Sequence, residues 1–235
     1  MPLALFAFSF DAVLFDCDGV LVDSEPITLG VLRDMLAESG WAMSESECRA
    51  RFVGVTVRSQ RDDIERHTGQ SLTEAWMQAF YARRNAELAA RLQAVPGALE
   101  AVRAARACTG GRIACASGAD RQKIEMQLAL TGFAPLFGEA VFSGHEMPAS
   151  KPAPDVYLAA ARHLQADPAR CLVVEDTAPG VIAGVAAGCA VLAYCPPDAD
   201  ARPLLAAGAA RAFGHMRELA DGLNALPAAR HRAAS

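Results

Sequence analysis

No feature limits the fold of this chain more than the alternation that begins at Pro96. Helical patterns at 97–108, 120–130, 154–164 and 179–187 take turns with short apolar runs at 112–116, 140–142, 171–174 and 190–194. A run of four or five apolar residues between turn formers is too short for a helix and suits a strand buried on both faces. Strands of that kind, joined through helices, lie parallel in one sheet with helices on both sides. Weaker patterns follow: short helices at 203–207 and 215–223 around a strand at 210–213. The Ala-rich, charged residues after Pro227 are expected to be loosely ordered. One more apolar run, at 12–15, supplies a strand ahead of the alternation.

Between that first strand and Pro96 the pattern is helical. Pro26 suits a first helical turn, and Ile27, Val31, Leu32, Met35 and Leu36 recur at helical spacing until Gly40. Ser44 with Glu47, and Ser71 with Glu74, match the capping box. Residues 57–67 are charged and helical in pattern, and 72–93 contain neither Gly nor Pro and read as one long helix. The expectation is a parallel α/β core, residues 1–24 and 95–235, interrupted by a helical insertion, residues 25–94.

Composition narrows the partners. The 235 residues are 52% apolar, enough for one sizeable core and a second small one. A net charge of −5 argues against a nucleic-acid partner, which basic faces would meet. The opening MPLALFAFSF lacks a basic leader and is too short to span a bilayer, so it is read as an extension into the first strand. No membrane partner is expected. Seven scattered cysteines without a C-x-x-C pair point to reduced thiols in a cytoplasmic protein. A monomer or weak dimer is expected.

Each strand that should end on one edge of the sheet stops at a polar residue. The first runs into Asp16 and Asp18 within DCDGVLVDSE, followed by Gly19. The second stops at Ser117 and Gly118, the third leads to a loop holding Lys151, and the fourth stops at Glu175 and Asp176. Ligands of open parallel sheets bind at that edge.

Phosphoryl transfer accounts for each member. A phosphate monoester is a dianion, and an attacking carboxylate is repelled unless a cation lies between them. Mg²⁺ favours oxygen donors. Asp16, the main-chain carbonyl of Asp18, and Asp176 would supply these, with Glu175 left open between ligand and supporting acid. Lys151, Ser117 and the N–H groups beside Gly118 would hold phosphate oxygens. Asp16 would attack, and Asp18 would protonate the leaving oxygen and later take a proton from water. Four acids in one place could not all ionise without a cation.

Taken singly, each member has a plainer reading. D-x-D-G is a common turn, Ser117 a helix cap, Glu175–Asp176 an acidic pair at a helix N-terminus, and Lys151 a solvated loop lysine. Cys17, between two acids, is a space-filling thiol and not a nucleophile. The five histidines lack a paired metal spacing. Gly180, Gly184 and Gly188, spaced by four, read as close packing of a helix on the sheet.

In their order, DCDGVLVDSE, the Ser117 strand end, KPAPDVYL from Lys151 and VVEDTAPGV from Val173 resemble the four motifs of the haloacid dehalogenase-like hydrolases. RFVGV from Arg51, and FSGHEMPASKPAPD with AYCPPD, look like the β-phosphoglucomutase and sugar-phosphate phosphatase branch, nearest its 6-phosphogluconate phosphatase type. The resemblance implies a Rossmann-like core with a helical cap, and a Mg²⁺-dependent phosphatase of a small phosphorylated metabolite, a sugar or sugar-acid phosphate. It implies Asp16 as nucleophile, Asp18 as acid/base, Asp176 as metal ligand, and Ser117 and Lys151 on phosphate. Glu25, Arg58 and Arg84 of the cap are candidates for substrate contact. Where mutases of the branch carry a histidine this chain has Thr28, and their cap arginine falls on Val57, beside Arg58. The mutase reading therefore stands second, and a catalytically silent binding protein is the competitor from another class.

Overall fold

Six parallel strands build the centre of the molecule: β1 (Ala12–Phe15), β2 (Ile113–Ser117), β3 (Val141–Ser143), β4 (Cys171–Glu175), β5 (Ala190–Tyr194) and β6 (Arg211–Phe213). They lie in the order β3-β2-β1-β4-β5-β6. This is a Rossmann-like arrangement, and the direction of strand addition reverses between β1 and β4. Phe15 registers with Cys115 on one side and Val174 on the other, so the polar ends of β1, β2 and β4 reach the same edge. The computed structural model describes residues 8–226. Most of the MPLALFAFSF extension and the residues after Pro227 lie outside the described residues.

The chain divides into two compact units, Met1–Val22 with Ala94–Ser235, and Asp23–Gln93. In the first, β1, β2 and β4 are buried along their whole length because helices cover both faces. Ala12, Leu14, Ala114, Ala116, Val173 and Val191 pack against Val156, Tyr157 and Ala160 of α8 (Asp155–His163) and Val181 and Ala183 of α9 (Ala178–Ala186). On the other side α5 (Ala98–Cys108), α6 (Arg121–Leu130), α7 (Ala134–Phe137) and α10 (Met216–Asn224) assemble, with α10 along α5 and Phe137 edge-on to Phe15. The sequence pattern does not reveal α7: four residues between Gly132 and Gly138, with Pro135 inside, hold too little periodicity to read.

The second unit holds α1 (Glu25–Glu38), α2 (Glu45–Phe52), a 3-10 turn (Val57–Gln60), α3 (Arg61–Thr68) and α4 (Glu74–Arg91). Leu32, Leu36, Phe52, Ile64, Leu72, Met77 and Phe80 form its core. Full burial of each such side chain contributes about 1.5–3 kcal/mol before the entropy of ordering. Ser44 and Glu47 make the expected capping box. The box at Ser71 does not form: Thr73 caps α4 by accepting from Trp76 N–H, so the helix starts two residues later than read. The 57–67 segment is a 3-10 turn followed by a short helix, not one helix. Among the described residues no helix is long and apolar enough to cross a membrane.

The Gly180, Gly184, Gly188 series needs a correction. A Cβ on Gly184 would stand 2.8 Å from Val191 Cγ2, and one on Gly180 1.7 Å from Glu175 Oε1, so both are close-packing positions. Gly188 instead lies past the end of α9 at φ +86°, with open space where a Cβ would be.

Candidate active site

Asp16 is the first residue beyond β1. Its N–H donates to Val174 O at 3.0 Å, which ties the end of β1 to β4. The chain then turns sharply: Leu21 and Val22 N–H donate to Cys17 O, Gly19 N–H donates to Val22 O, and Gly19 takes φ +79°. The bare Gly19 lets the neighbouring loop approach, since a Cβ there would lie 1.9 Å from Asp176 Oδ2. The turn thus brings the Asp16–Asp18 segment and Asp176 together, at the switch between β1 and β4.

Lys151 organises the buried part. Its ammonium donates to Asp16 Oδ1, to Glu175 Oε1 at 2.7 Å and to Ala116 O at 3.0 Å, and it lies 4.8 Å from the centre of the Tyr157 ring. Burial works against its charge, but Asp16 and Glu175 outweigh that and hold its pKa well above the ordinary lysine value. It is therefore an interior lysine, not a solvated one. Asp16 is pushed up to about 7, first by burial; Lys151 opposes the rise, and Glu175 and Asp18 add to it.

Both oxygens of Glu175 are engaged. Oε1 accepts from Lys151 and, at 3.0 Å, from the Tyr157 hydroxyl. Oε2 accepts from the N–H groups of Asp176 and Thr177 and from the Thr177 hydroxyl. Burial raises its pKa, yet Lys151 and these donors prevail and hold it below the usual carboxylate range. Both Glu175 oxygens are thus taken up by protein donors, and one of them holds Lys151.

Asp18 faces elsewhere. Its Oδ1 accepts from Lys123 Nζ at 2.7 Å and Gln127 Nε2 at 2.9 Å, both on α6. Of the four acids expected here, Asp16 and Glu175 pair with Lys151 and Asp18 pairs with Lys123, a lysine the sequence reading did not include. Two more acids than lysines remain.

Ser117 ends β2 almost fully buried, and its Oγ accepts from Ala119 N–H at 3.1 Å. It does not cap α6; Asp120 does, by accepting from Lys123 N–H. A Cβ on Gly118 would meet only Ser150 Oγ, at 3.7 Å. The neighbouring Cys115 thiol, and then burial, push the Cys17 thiol well above its ordinary value, in line with a space-filling role.

The other candidates belong to the helical unit, each with its own partner. Arg58 pairs with Glu74 at 2.7 Å on the surface, and Glu25 with Arg49 at 2.8 Å. Arg84 is buried, bonds Asn85 Oδ1 and lies 4.8 Å from the centre of the Tyr81 ring. Sequence reasoning missed Lys123, Gln127 and Tyr157. The signal for the first two was present: a Lys and a Gln four apart share the α6 face that carries the buried Ile124 and Leu128.

Comparison with known proteins adds to this geometry. The model of the haloacid dehalogenase-like hydrolase family matches residues 10–188. The bifunctional riboflavin kinase/FMN phosphatase of Arabidopsis thaliana is 35% identical over 185 residues, which are 77% of this chain and 47% of that protein. This chain thus spans about half of that relative. The 6-phosphogluconate phosphatase of Escherichia coli is 27% identical over 195 residues, 83% of this chain and 86% of the relative. Among solved structures, a HAD family hydrolase from Deinococcus radiodurans with bound phosphate and sodium is 33% identical. It superposes with a TM-score of 0.75 over 91% of this chain and 97% of that one. With the motifs, the strand order and the family match in agreement over three quarters of its length, the chain belongs to the haloacid dehalogenase-like hydrolases.

Proposed function

We propose that this protein is a Mg²⁺-dependent phosphatase that hydrolyses a small phosphorylated metabolite, a sugar or sugar-acid phosphate, through an aspartyl-phosphate on Asp16. The observation that carries the reading is the shared hold of Lys151 on Asp16 and Glu175, at the strand-order switch, with a second carboxylate, Asp18, two residues away. The named activities of the Escherichia coli and Arabidopsis relatives support a phosphomonoester substrate.

The chemistry follows from the side chains. Lys151 occupies Oδ1 of Asp16, which leaves Oδ2 to attack phosphorus. The P–O bond to the substrate breaks, and the leaving oxygen takes a proton from Asp18. Asp18, now a carboxylate, takes a proton from water, which attacks the same phosphorus and frees phosphate and Asp16. Lys151, the Ser117 hydroxyl and the N–H groups at Cys17 and Gly118 meet the phosphate oxygens.

The residues fit a magnesium ion. The Gly19 cradle brings Asp176 against the Asp16–Asp18 loop, and every donor there is a hard oxygen. Asp16, Asp176 and the main-chain carbonyl of Asp18 would hold it. Among the described residues no three His, Cys, Asp or Glu side chains group as a metal site, and this set uses only two side chains. When bound, the ion offsets the repulsion between a carboxylate and a phosphate dianion.

Residues 1–24 and 95–235 form the catalytic core in this reading, and the helical unit selects the substrate. The test is phosphate release from a panel of sugar, sugar-acid and nucleotide-like phosphates, FMN included, with and without chelator. Turnover that survives exhaustive chelation overturns the metal requirement. Net isomerisation of a hexose phosphate faster than phosphate release would establish the mutase reading instead.

A further inference from the structure

The acid/base carboxylate is gripped by a helix that no motif includes. Asp120 caps α6 and sets its first turn, so that Lys123 and Gln127, four residues apart, fall on the face toward the sheet. Both are buried, at 6% and 0% exposure. A lysine and an amide in the interior cost stability unless each finds a partner. Both find the same atom, Asp18 Oδ1. The Cys17 thiol donates to Gln127 Oε1 at 3.5 Å, which turns the amide N–H₂ toward Asp18.

We infer that Lys123, backed by Gln127 and Cys17, is a positioning residue: it pins Oδ1 of Asp18 so that the carboxyl group presents Oδ2 to the leaving oxygen. The inference rests on the acid role proposed for Asp18. It assigns a function to a lysine outside the four motif segments, on a helix whose own sequence carries no catalytic pattern. Burial alone asks of Lys123 only that it find some acceptor; the one it has is the carboxylate two residues from the nucleophile. With the pin removed, the carboxyl group rotates among orientations, and only a fraction meets the leaving oxygen.

The test separates positioning from general damage by leaving group. The quantity is kcat/KM, which reports steps up to the first irreversible one, here P–O cleavage, and excludes hydrolysis of the phospho-enzyme. An alkyl alcohol must be protonated as it leaves; p-nitrophenolate leaves as an anion. Lys123→Met, Lys123→Arg, Gln127→Leu and Asp18→Asn are compared on p-nitrophenyl phosphate and on the alkyl phosphate that the panel shows to be turned over fastest. Lys123→Met should lose about 10–100-fold on the alkyl ester, within the range of lost acid catalysis, and under about threefold on the nitrophenyl ester. Lys123→Arg should recover part of the loss, and Gln127→Leu should show the same selectivity on a smaller scale. Equal losses on both esters in the Lys123 and Gln127 variants, with Asp18→Asn still selective, overturn the positioning role alone. Equal losses in Asp18→Asn overturn its acid role and the inference with it. If Lys123→Met does not fold, Lys123→Arg and Gln127→Leu carry the decision.

Discussion

Glu175 Oε1 accepts the Lys151 ammonium at 2.7 Å, and both side chains are buried. Because the same ammonium also holds Asp16, the geometry of the candidate nucleophile depends on an acid that stands 24 residues from Lys151 in sequence. Replacing Glu175 with Gln should therefore act through Lys151. The amide cannot accept the N–H groups of Asp176 and Thr177 and bind Lys151 equally well. Breaking one partner of a buried pair costs about 3–5 kcal/mol. Thermal unfolding and Mg²⁺ titration check this: stability and kcat should fall, while the Mg²⁺ concentration for half-activity stays near that of wild type.

Asp176→Asn should give the opposite pattern. Fold stability should change little and the Mg²⁺ requirement should rise, because the substitution removes charge from the proposed ligand set. Gly19→Ala should resemble it with a stability loss added. The new Cβ meets Asp176 Oδ2 at 1.9 Å, and the φ of +79° is strained for alanine, at roughly 1–2 kcal/mol. A Gly19→Ala enzyme with normal metal dependence would contradict the cradle.

Asp16→Asn should abolish turnover, and no labelled acyl-phosphate should form. Its stability should also respond differently to pH. With its pKa raised from 3.8 to about 7 in the folded protein, Asp16 binds a proton there that the unfolded chain has already lost. Between these values the native state holds more protons, so stability falls as pH rises, by an amount on the order of a few kcal/mol. Metal-free wild type should thus lose melting temperature from pH 5 to pH 7 relative to Asp16→Asn. Parallel curves for the two proteins would refute the raised value.

Arg58 pairs with Glu74 at the surface, so Arg58→Ala should leave KM unchanged and cause only a small, salt-sensitive change in melting temperature. Arg84→Ala should be costlier to the fold, because a buried guanidinium packed on Tyr81 and Phe80 is lost. A rise in KM for the best substrate on Arg84→Ala, at a temperature where the variant is folded, would bring Arg84 into substrate contact.

The sequence by itself determined the alternation of strands and helices, the helical block after the first strand, and the polar residues at the strand ends. These are local matters: a run of apolar residues, a capping serine or a Gly with positive φ is decided within a few neighbours. Residues 12–15 and 190–194 could be read as strands to the residue for that reason, whereas α7 and the start of α4 could not. Tertiary structure alone decided which acid meets which base. Lys123 and Asp18 are 105 residues apart and Gln127 and Asp18 are 109 apart, and nothing in either neighbourhood encodes the other. Their meeting follows from β1 lying between β2 and β4, which places α6 beside the turn after Asp16. The same order of strands saturates both oxygens of Glu175 and adds Lys123 to a cluster in which the sequence offered Lys151 as the one cation. A buried charge must find its partner, but only the path of the chain through the sheet determines which partner is within reach.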